Sequence, residues 1–152
     1  MVTIIVAAHG QLAAAFINTA KMIFGNIEHT KAVTFEPGEG IENLLEKYQD
    51  VIHSSEQIPG NEVLFLTDLF GGSPYNAASR FAARQPHMDI VTGVNLPMLI
   101  DVLARRMAGG TLADLVSTAK QSGTDGIRSF REWFDKQQIV NSAKAEEGDE
   151  LG

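Results

Sequence analysis

Residues 3–10 read TIIVAAHG and residues 11–25 continue as QLAAAFINTAKMIFG. The change of pattern between these two stretches is the strongest indication of the fold. The apolar run in the first stretch is typical of a strand that is buried on both faces, as in parallel sheets. The second stretch has its large apolar residues at helical spacing. His9 is therefore expected at the carboxyl end of a strand, beside a helix N-terminus. Ligands bind at that edge of open α/β sheets, and a helix N-terminus favours negative charge, so an imidazole there is placed to accept an anionic group.

The alternation of strand and helix patterns continues along the chain. Further strands are predicted at residues 31–35, 63–68 and 88–94, and further helices at about 41–52, 74–84, 98–107 and 111–121. Gly123 is expected to lie just past the end of the last of these helices. This order predicts an α/β fold with an open, mainly parallel, doubly wound sheet and helices on both faces.

The domain organisation follows from length and from a change in composition. The chain has 152 residues, which suggests one domain. From Lys136 to Gly152 the sequence is polar and acidic, and it has few large apolar side chains. We therefore expect one domain over residues 1–135 and a disordered tail over residues 136–152.

Composition excludes several classes of function. The formal net charge is −7, which argues against non-specific binding to nucleic acid. The chain has no cysteine, so disulfides, thiolate catalysis and cysteine metal sites are excluded. No apolar run approaches the roughly 20 residues that cross a bilayer, and the first apolar stretch lacks the features of a signal peptide. A cytoplasmic protein is therefore expected.

Asp68 ends the third predicted strand, VLFLTD at residues 63–68. If the first and third strands are neighbours, its carboxylate can meet His9 at the sheet edge. A carboxylate bonded to one imidazole nitrogen fixes the tautomer and leaves the other nitrogen as a nucleophile. The spacing also permits a purely structural role, in which Asp68 caps the turn that follows.

The loop Gly71-Gly72-Ser73-Pro74 follows Asp68 and opens a helix, since Pro74 suits the first helical turn. Two glycines let backbone N–H groups approach a phosphate, and Ser73 adds a hydroxyl. The same residues also fit an ordinary turn capped by Ser73. The loop lacks the lysine of a P-loop, so nucleotide binding is not indicated.

The other histidines have no obvious partners. His29, His53 and His87 lie in predicted turns or helix ends among polar residues, which indicates surface positions. No pair of histidines has the spacing of a metal site such as H-E-x-x-H. We therefore expect no metal site.

Four stretches carry a resemblance to one family: IIVAAHG with His9, TFEPGEG with the following ENLLEKY, FLTDLFGGSPYNAASR, and VTGVNLPMLI. In this order and at this spacing they resemble the IIA component of the mannose-type sugar phosphotransferase system. The resemblance covers about residues 2–130. It implies an open α/β fold and a protein-histidine phosphotransferase that carries a phosphoryl group on histidine.

The resemblance also implies roles for individual residues. His9 matches the phosphorylated histidine of the family, and Asp68 matches the carboxylate that hydrogen-bonds it. Ser73 matches a residue close to the phosphoryl group. The phosphate-binding residues are expected to be Gly10, Gly71, Gly72 and Ser73. Transfer between histidines depends on positioning and charge stabilisation, and no metal or other cofactor is expected.

The partners are implied by the resemblance as well. Phosphorylated HPr is the expected donor, and a histidine of the IIB component is the expected acceptor. The sugar itself passes through the membrane permease, IIC and IID, with which the protein is expected to associate indirectly or peripherally. Family members are homodimers that exchange a C-terminal strand, which here would lie near Gly126 to Phe130. No nucleic acid is expected as a partner.

The chain departs from the family pattern after the aspartate. Many relatives carry Thr and Trp there, whereas this chain has Leu69 and Phe70. A hydroxyl contact from the threonine position is therefore absent, and backbone amides are expected to serve the phosphate instead. Some relatives carry IIB on the same chain, but here the tail is too short, so IIB is expected on a separate polypeptide.

Three alternative functions remain open from the sequence. One is a subunit related to the dihydroxyacetone kinase system, and another is a non-catalytic regulatory module. A third is a receiver-like domain phosphorylated on Asp68, which would need acidic Mg²⁺ ligands after the first strand, where the sequence has Ala7-Ala8-His9-Gly10. The sugar is also left open, because this subunit does not contact it.

Overall fold

The computed structural model describes residues 1–151, and the side chains of residues 1–148. The strands are β1 (Val2–His9), β2 (Thr30–Phe35), β3 (Glu62–Thr67) and β4 (Met88–Thr92). The helices are α1 (Leu12–Phe24), α2 (Ile41–Ser55), α3 (Ser73–Ala82), α4 (Leu96–Met107), α5 (Leu112–Asp125) and α6 (Phe130–Leu151). All pairings in the sheet are parallel, in the order β2-β1-β3-β4. The predicted α/β fold with an open parallel sheet is confirmed.

The sheet has a hydrophobic core on each face. Alternate residues of β1 point to opposite faces: Ile4 and Val6 pack with α1, α4 and α5, whereas Ile5 and Ala7 pack with α2 and α3. Strands β1 and β3 are buried on both sides, which explains their unbroken apolar runs. His9 lies two residues after Ala7 in β1, so its side chain is on the same face of the sheet as Ile5 and Ala7, the face covered by α2 and α3.

Helix α5 does not end where the sequence suggested. Gly123 is buried inside the helix, which runs to Asp125, so the prediction that Gly123 follows the helix is wrong. A Cβ atom at this position would lie 2.8 Å from Cε of Met98 in α4. Glycine is present here because α4 and α5 pack closely.

The C-terminal region forms one long helix. Residues 136–151, where the sequence predicts a disordered tail, belong to α6, and the boundary at residues 135/136 lies within that helix and stays a prediction. Residues 126–130 pair with none of the four described strands, and the exchange of this segment between subunits stays a prediction. No helix in residues 1–151 combines the length and apolar character that spanning a membrane requires.

Arg106, in the last turn of α4, ties together the starts of β1 and β2. Its guanidinium donates hydrogen bonds to the backbone carbonyls of Val2 (3.0 Å), His29 (2.9 Å) and Glu28 (2.7 Å), and to Oγ1 of Thr30 (2.8 Å). The bonds to Val2 and His29 are part-buried, and all three carbonyls lose a charged donor if the side chain is shortened or made apolar.

Arg106→Met is therefore expected to lower the free energy of unfolding by about 2–4 kcal/mol, since several carbonyls lose their donor together. Urea unfolding at one fixed protein concentration measures the change. Arg105→Met is the matched control, because Arg105 makes only a half-exposed ion pair with Asp114 and should cost less than about 1 kcal/mol. Equal losses in the two variants would contradict the assigned role of Arg106.

Candidate active site

The topology of the sheet brings the ends of β1 and β3 together. The chain leaves β1 for β2 on one side and then returns through α2 to β3 on the other side. The carboxyl end of the sheet between β1 and β3 is therefore a topological switch point, where a crevice for ligands forms. His9 ends β1 and Asp68 directly follows β3, so both lie at this crevice. The expectation that the two residues are neighbours is confirmed.

His9 and Asp68 are joined by two hydrogen bonds. Oδ2 of Asp68 lies 2.8 Å from Nδ1 of His9 and accepts the backbone N–H of His9 at 2.9 Å. Oδ1 of Asp68 accepts the backbone N–H of Leu69 at 2.9 Å. The carboxylate is held by three donors, and it keeps the proton of a neutral imidazole on Nδ1. Nε2 is then the nitrogen with the free lone pair.

The side chains of His9 and Asp68 differ in exposure. The side chain of His9 is 45% exposed, whereas that of Asp68 is 12% exposed. Burial alone would raise the pKa of Asp68, but the hydrogen bonds from the backbone and ring of His9 and from the N–H of Leu69 lower it below its usual value. Asp68 is therefore ionised at neutral pH. Its lowered pKa contributes stability above the usual carboxyl range, and that contribution is lost as the pH falls through the lowered value.

The imidazole ring is also held by its apolar surroundings. Phe35, the residue that pairs with His9 in β2, contacts the ring edge-on at a centroid distance of 5.6 Å. On the other side lies Gly72, where a Cβ atom would come within 3.1 Å of Cε1 of His9. That approach is tighter than ordinary van der Waals contact. Glycine at this position therefore lets the loop after β3 lie against the imidazole.

The start of α3 presents backbone donors beside this ring. Gly71 has a φ of +79°, which favours glycine, and Gly72 is the N-cap of the helix. Asn76 is the first residue of α3 whose amide makes a bond within the helix, and it donates to the carbonyl of Gly72 at 2.8 Å. The amides of Ser73 and Tyr75 precede it and have no carbonyl one turn earlier in the helix. They form an N-terminus that favours an anion.

Gly10, another of the predicted phosphate-binding residues, directly follows β1. Its φ of +60° turns the chain from β1 into α1, and its N–H donates to the carbonyl of Phe35 at 2.8 Å. The amide of Gly10 is therefore engaged, as is the amide of Gly72, which donates to the carbonyl of Leu69 at 3.3 Å. The donors at Gly71 and Ser73, and those of the first turn of α1, are better placed to serve an anion.

Thr67 is a residue of this region that the sequence did not single out. It is fully buried at the end of β3, and its Oγ1 has no hydrogen-bond partner among the described residues. A buried hydroxyl without a partner costs about 1–3 kcal/mol. No sequence signal marks it, because threonine is a common strand residue.

Thr67→Val removes this hydroxyl and preserves the shape of the side chain. We expect the free energy of unfolding to rise by about 1 kcal/mol, because the desolvation cost of the hydroxyl disappears. Chemical denaturation compares the variant with the wild type, and Thr92→Val in the neighbouring strand is the control. A loss of more than about 1 kcal/mol in Thr67→Val would mean that the hydroxyl is bonded.

The remaining histidines lie away from the crevice. His53 and His87 are exposed, as predicted, whereas His29 is half-buried with a φ of +51°. Within the part of the chain that the structure describes, no group of three or more histidine or acidic side chains is arranged to hold a metal ion.

Exposed apolar residues surround the imidazole. Leu69 is 59% exposed and Phe70 is 78% exposed, and the ring of Phe70 contacts that of Tyr75 at a centroid distance of 4.8 Å. Leu12, in the first turn of α1, is 44% exposed. The imidazole of His9, which is 45% exposed, therefore lies on an open, partly apolar surface that a folded partner can reach.

The model of the family described as "PTS system fructose IIA component" matches residues 3–120. The chain is 38% identical over 148 residues to the fructose-specific EIIA component of Bacillus subtilis, covering 97% of this chain and 99% of that protein. It is 36% identical over 130 residues to the mannose-specific EIIAB component of Escherichia coli, covering 86% of this chain. The chain spans only 40% of the length of that EIIAB protein.

Solved structures show the same fold. The structure of the phosphotransferase system component EIIA from Streptococcus agalactiae superposes with a TM-score of 0.78 at 27% identity, covering 87% of this chain and 99% of that one. The IIA protein associated with the fucose utilization operon of Streptococcus pneumoniae gives a TM-score of 0.73 at 29% identity, covering 88% and 96% of the two chains.

Proposed function

The chain belongs to the family of PTS system fructose IIA components, the mannose-type IIA proteins of the sugar phosphotransferase system. We propose that His9 carries the phosphoryl group. Mannose-type IIA components are phosphotransfer subunits in sugar uptake, and they work with HPr and IIB. Phosphorylated HPr is the proposed donor, and a histidine of IIB is the proposed acceptor. The observation that carries the proposal is the hydrogen bond from Nδ1 of His9 to Asp68.

The proposed step is an in-line transfer between two imidazoles. The lone pair of Nε2 of His9 attacks phosphorus, the N–P bond of phospho-HPr breaks, and its electron pair returns to the donor histidine. The ring of His9, which keeps its proton on Nδ1, gains positive character, and ionised Asp68 stabilises that charge. The reverse sequence of bond changes passes the group to IIB.

The equatorial oxygens of the phosphoryl group need donors that are already in place. We propose that the loop at Gly71 and Gly72, Ser73, and the N-termini of α1 and α3 supply them. Of these groups, Gly72 lies against the ring, at Cε1 of His9. The turn at Gly10 joins β1 directly to α1, so the N-terminus of α1 lies close to His9.

The open apolar surface supports a single docking place for both partners. One histidine must face the donor and then the acceptor, so the two complexes use the same surface in turn. Transient encounters of this kind have small, wet interfaces. Leu69 and Phe70, which replace the Thr and Trp of many relatives, belong to that surface.

The chemistry of the phosphoprotein tests the proposal. The protein is labelled with phospho-HPr, and the product is then exposed to alkali and to acid. A phosphohistidine survives alkali and is lost in acid, and peptide mass spectrometry should place the label on His9. A label that alkali removes, mapped to Asp68, would instead identify a receiver-like domain. The three hydrogen bonds to the Asp68 carboxylate disfavour that alternative.

A further inference from the structure

Tyr48 is a buried polar residue that takes no part in the proposed phosphoryl-transfer step. It lies in the middle of α2 and is fully buried. Its ring contacts Phe65 of β3 edge-on at a centroid distance of 5.1 Å, and Phe81 of α3 at 6.3 Å. The residue therefore joins α2, the sheet and α3 on the face of the sheet to which His9 belongs.

The hydroxyl of Tyr48 makes a hydrogen bond to the start of α3. It donates to the carbonyl of Pro74 at 2.8 Å. In a regular helix that carbonyl also accepts the amide of Ala78, four residues later, so the helix does not need Tyr48 in order to form. The additional bond instead fixes the first turn of α3 relative to α2 and the sheet.

That first turn is the part of α3 that faces the imidazole. Ser73 directly precedes Pro74, and Gly72 lies against the His9 ring. A shift of the turn would move the loop donors away from the place where the phosphoryl oxygens are stabilised. Displacements of about 1 Å in such sites cost up to about 100-fold in rate.

Burial, with a smaller contribution from the charge of Asp68, keeps the hydroxyl of Tyr48 protonated. Burial raises the pKa of Tyr48 far above its usual value, and the negative charge of Asp68 raises it further. The hydroxyl therefore remains a donor at neutral pH, where Asp68 is ionised.

We propose that the Tyr48 hydroxyl is a positioning group, which holds the first turn of α3 at the distance from His9 that phosphoryl transfer requires. This inference rests on the proposed function. It assigns no chemical step to Tyr48, since the residue acts through Pro74 and Ser73.

The test uses Tyr48→Phe, which keeps the ring contacts and removes only the hydroxyl. At saturating phospho-HPr, the rate constant for labelling of His9 should fall about tenfold. The half-saturating concentration of phospho-HPr should stay within about twofold, because the docking surface is unchanged. In ¹H–¹⁵N spectra the amide signals of Gly72 and Ser73 should shift.

Two control variants separate positioning from packing. Ser55→Ala removes another buried hydroxyl–carbonyl bond of α2, from Ser55 to Ile52 at 2.7 Å, at the end of the helix far from the site. Phe81→Leu loosens the same aromatic cluster without touching the hydroxyl. Both should label at close to the wild-type rate, with the Gly72 and Ser73 amides unmoved.

Each outcome decides between the proposals. A Tyr48→Phe variant that labels like the wild type, or a Phe81→Leu variant that loses as much rate, would overturn the positioning role. A wild-type protein that phospho-HPr does not label would overturn the proposed function instead. If Tyr48→Phe is too unstable for kinetics, the amide shifts of Gly72 and Ser73 measured at low temperature decide, and unmoved signals would overturn the role.

Discussion

His9→Ala is expected to abolish labelling by phospho-HPr. The proposed nucleophile is Nε2 of this ring, and no other imidazole lies at the crevice within the described residues. The fold should survive, because the side chain is exposed and Asp68 keeps its bonds from the backbone amides of His9 and Leu69. The measurement is incorporation of radiolabelled phosphate from phospho-HPr, with circular dichroism as the check on folding.

The matched control for this variant is His53→Ala. His53 is also exposed, but it lies near the end of α2, and its loss should leave labelling at the wild-type level. Persistent labelling of His9→Ala at the wild-type rate would rule out His9 as the carrier. Loss of labelling in both variants would point to a general loss of structure.

Asp68→Asn is expected to slow labelling of His9 by about 10²- to 10³-fold. The substitution removes the negative charge that, in the proposed step, stabilises the ring during transfer. The asparagine oxygen can still accept from His9, but its NH₂ group must then face the N–H of Leu69, so two donors oppose each other. The tautomer and the orientation of the imidazole are both weakened.

The kinetic signature distinguishes this effect from poor docking. The rate constant at saturating phospho-HPr should carry the loss, with little change in the half-saturating concentration. Asp89→Asn is the matched control, because Oδ1 of Asp89 also accepts the amide of the next residue, at 2.8 Å, but at an exposed position of β4 away from the crevice. Equal slowing in both variants, or none in Asp68→Asn, would contradict the role of Asp68.

Much of the fold could be predicted from local patterns. The apolar runs of β1 and β3 and the helical spacing after Gly10 depend only on which residues are apolar, and burial on both faces produces those patterns. Local patterns do not fix the end of α5, since Gly123 has the features of a helix stop but lies inside the helix. Its close contact with Met98 belongs to another helix, and local sequence carries no sign of it.

The candidate site could be predicted in part. The positions of His9 and Asp68 at strand ends are readable, and the resemblance to the family supplies their roles. Tyr48 and Thr67 could not be found in this way. A tyrosine at helical spacing looks like an ordinary core residue, and only the packing of α2 against α3 brings its hydroxyl to Pro74.

Local sequence specifies the alternation of strands and helices, the histidine and aspartate at strand ends, and the glycines that the loop requires. These features depend on chemistry within a few residues of each position. Tertiary packing makes β1 and β3 neighbours and places Asp68 against Nδ1 of His9. It also brings α2 into contact with the start of α3. Those outcomes depend on how distant segments pack, and packing is a property of the whole chain.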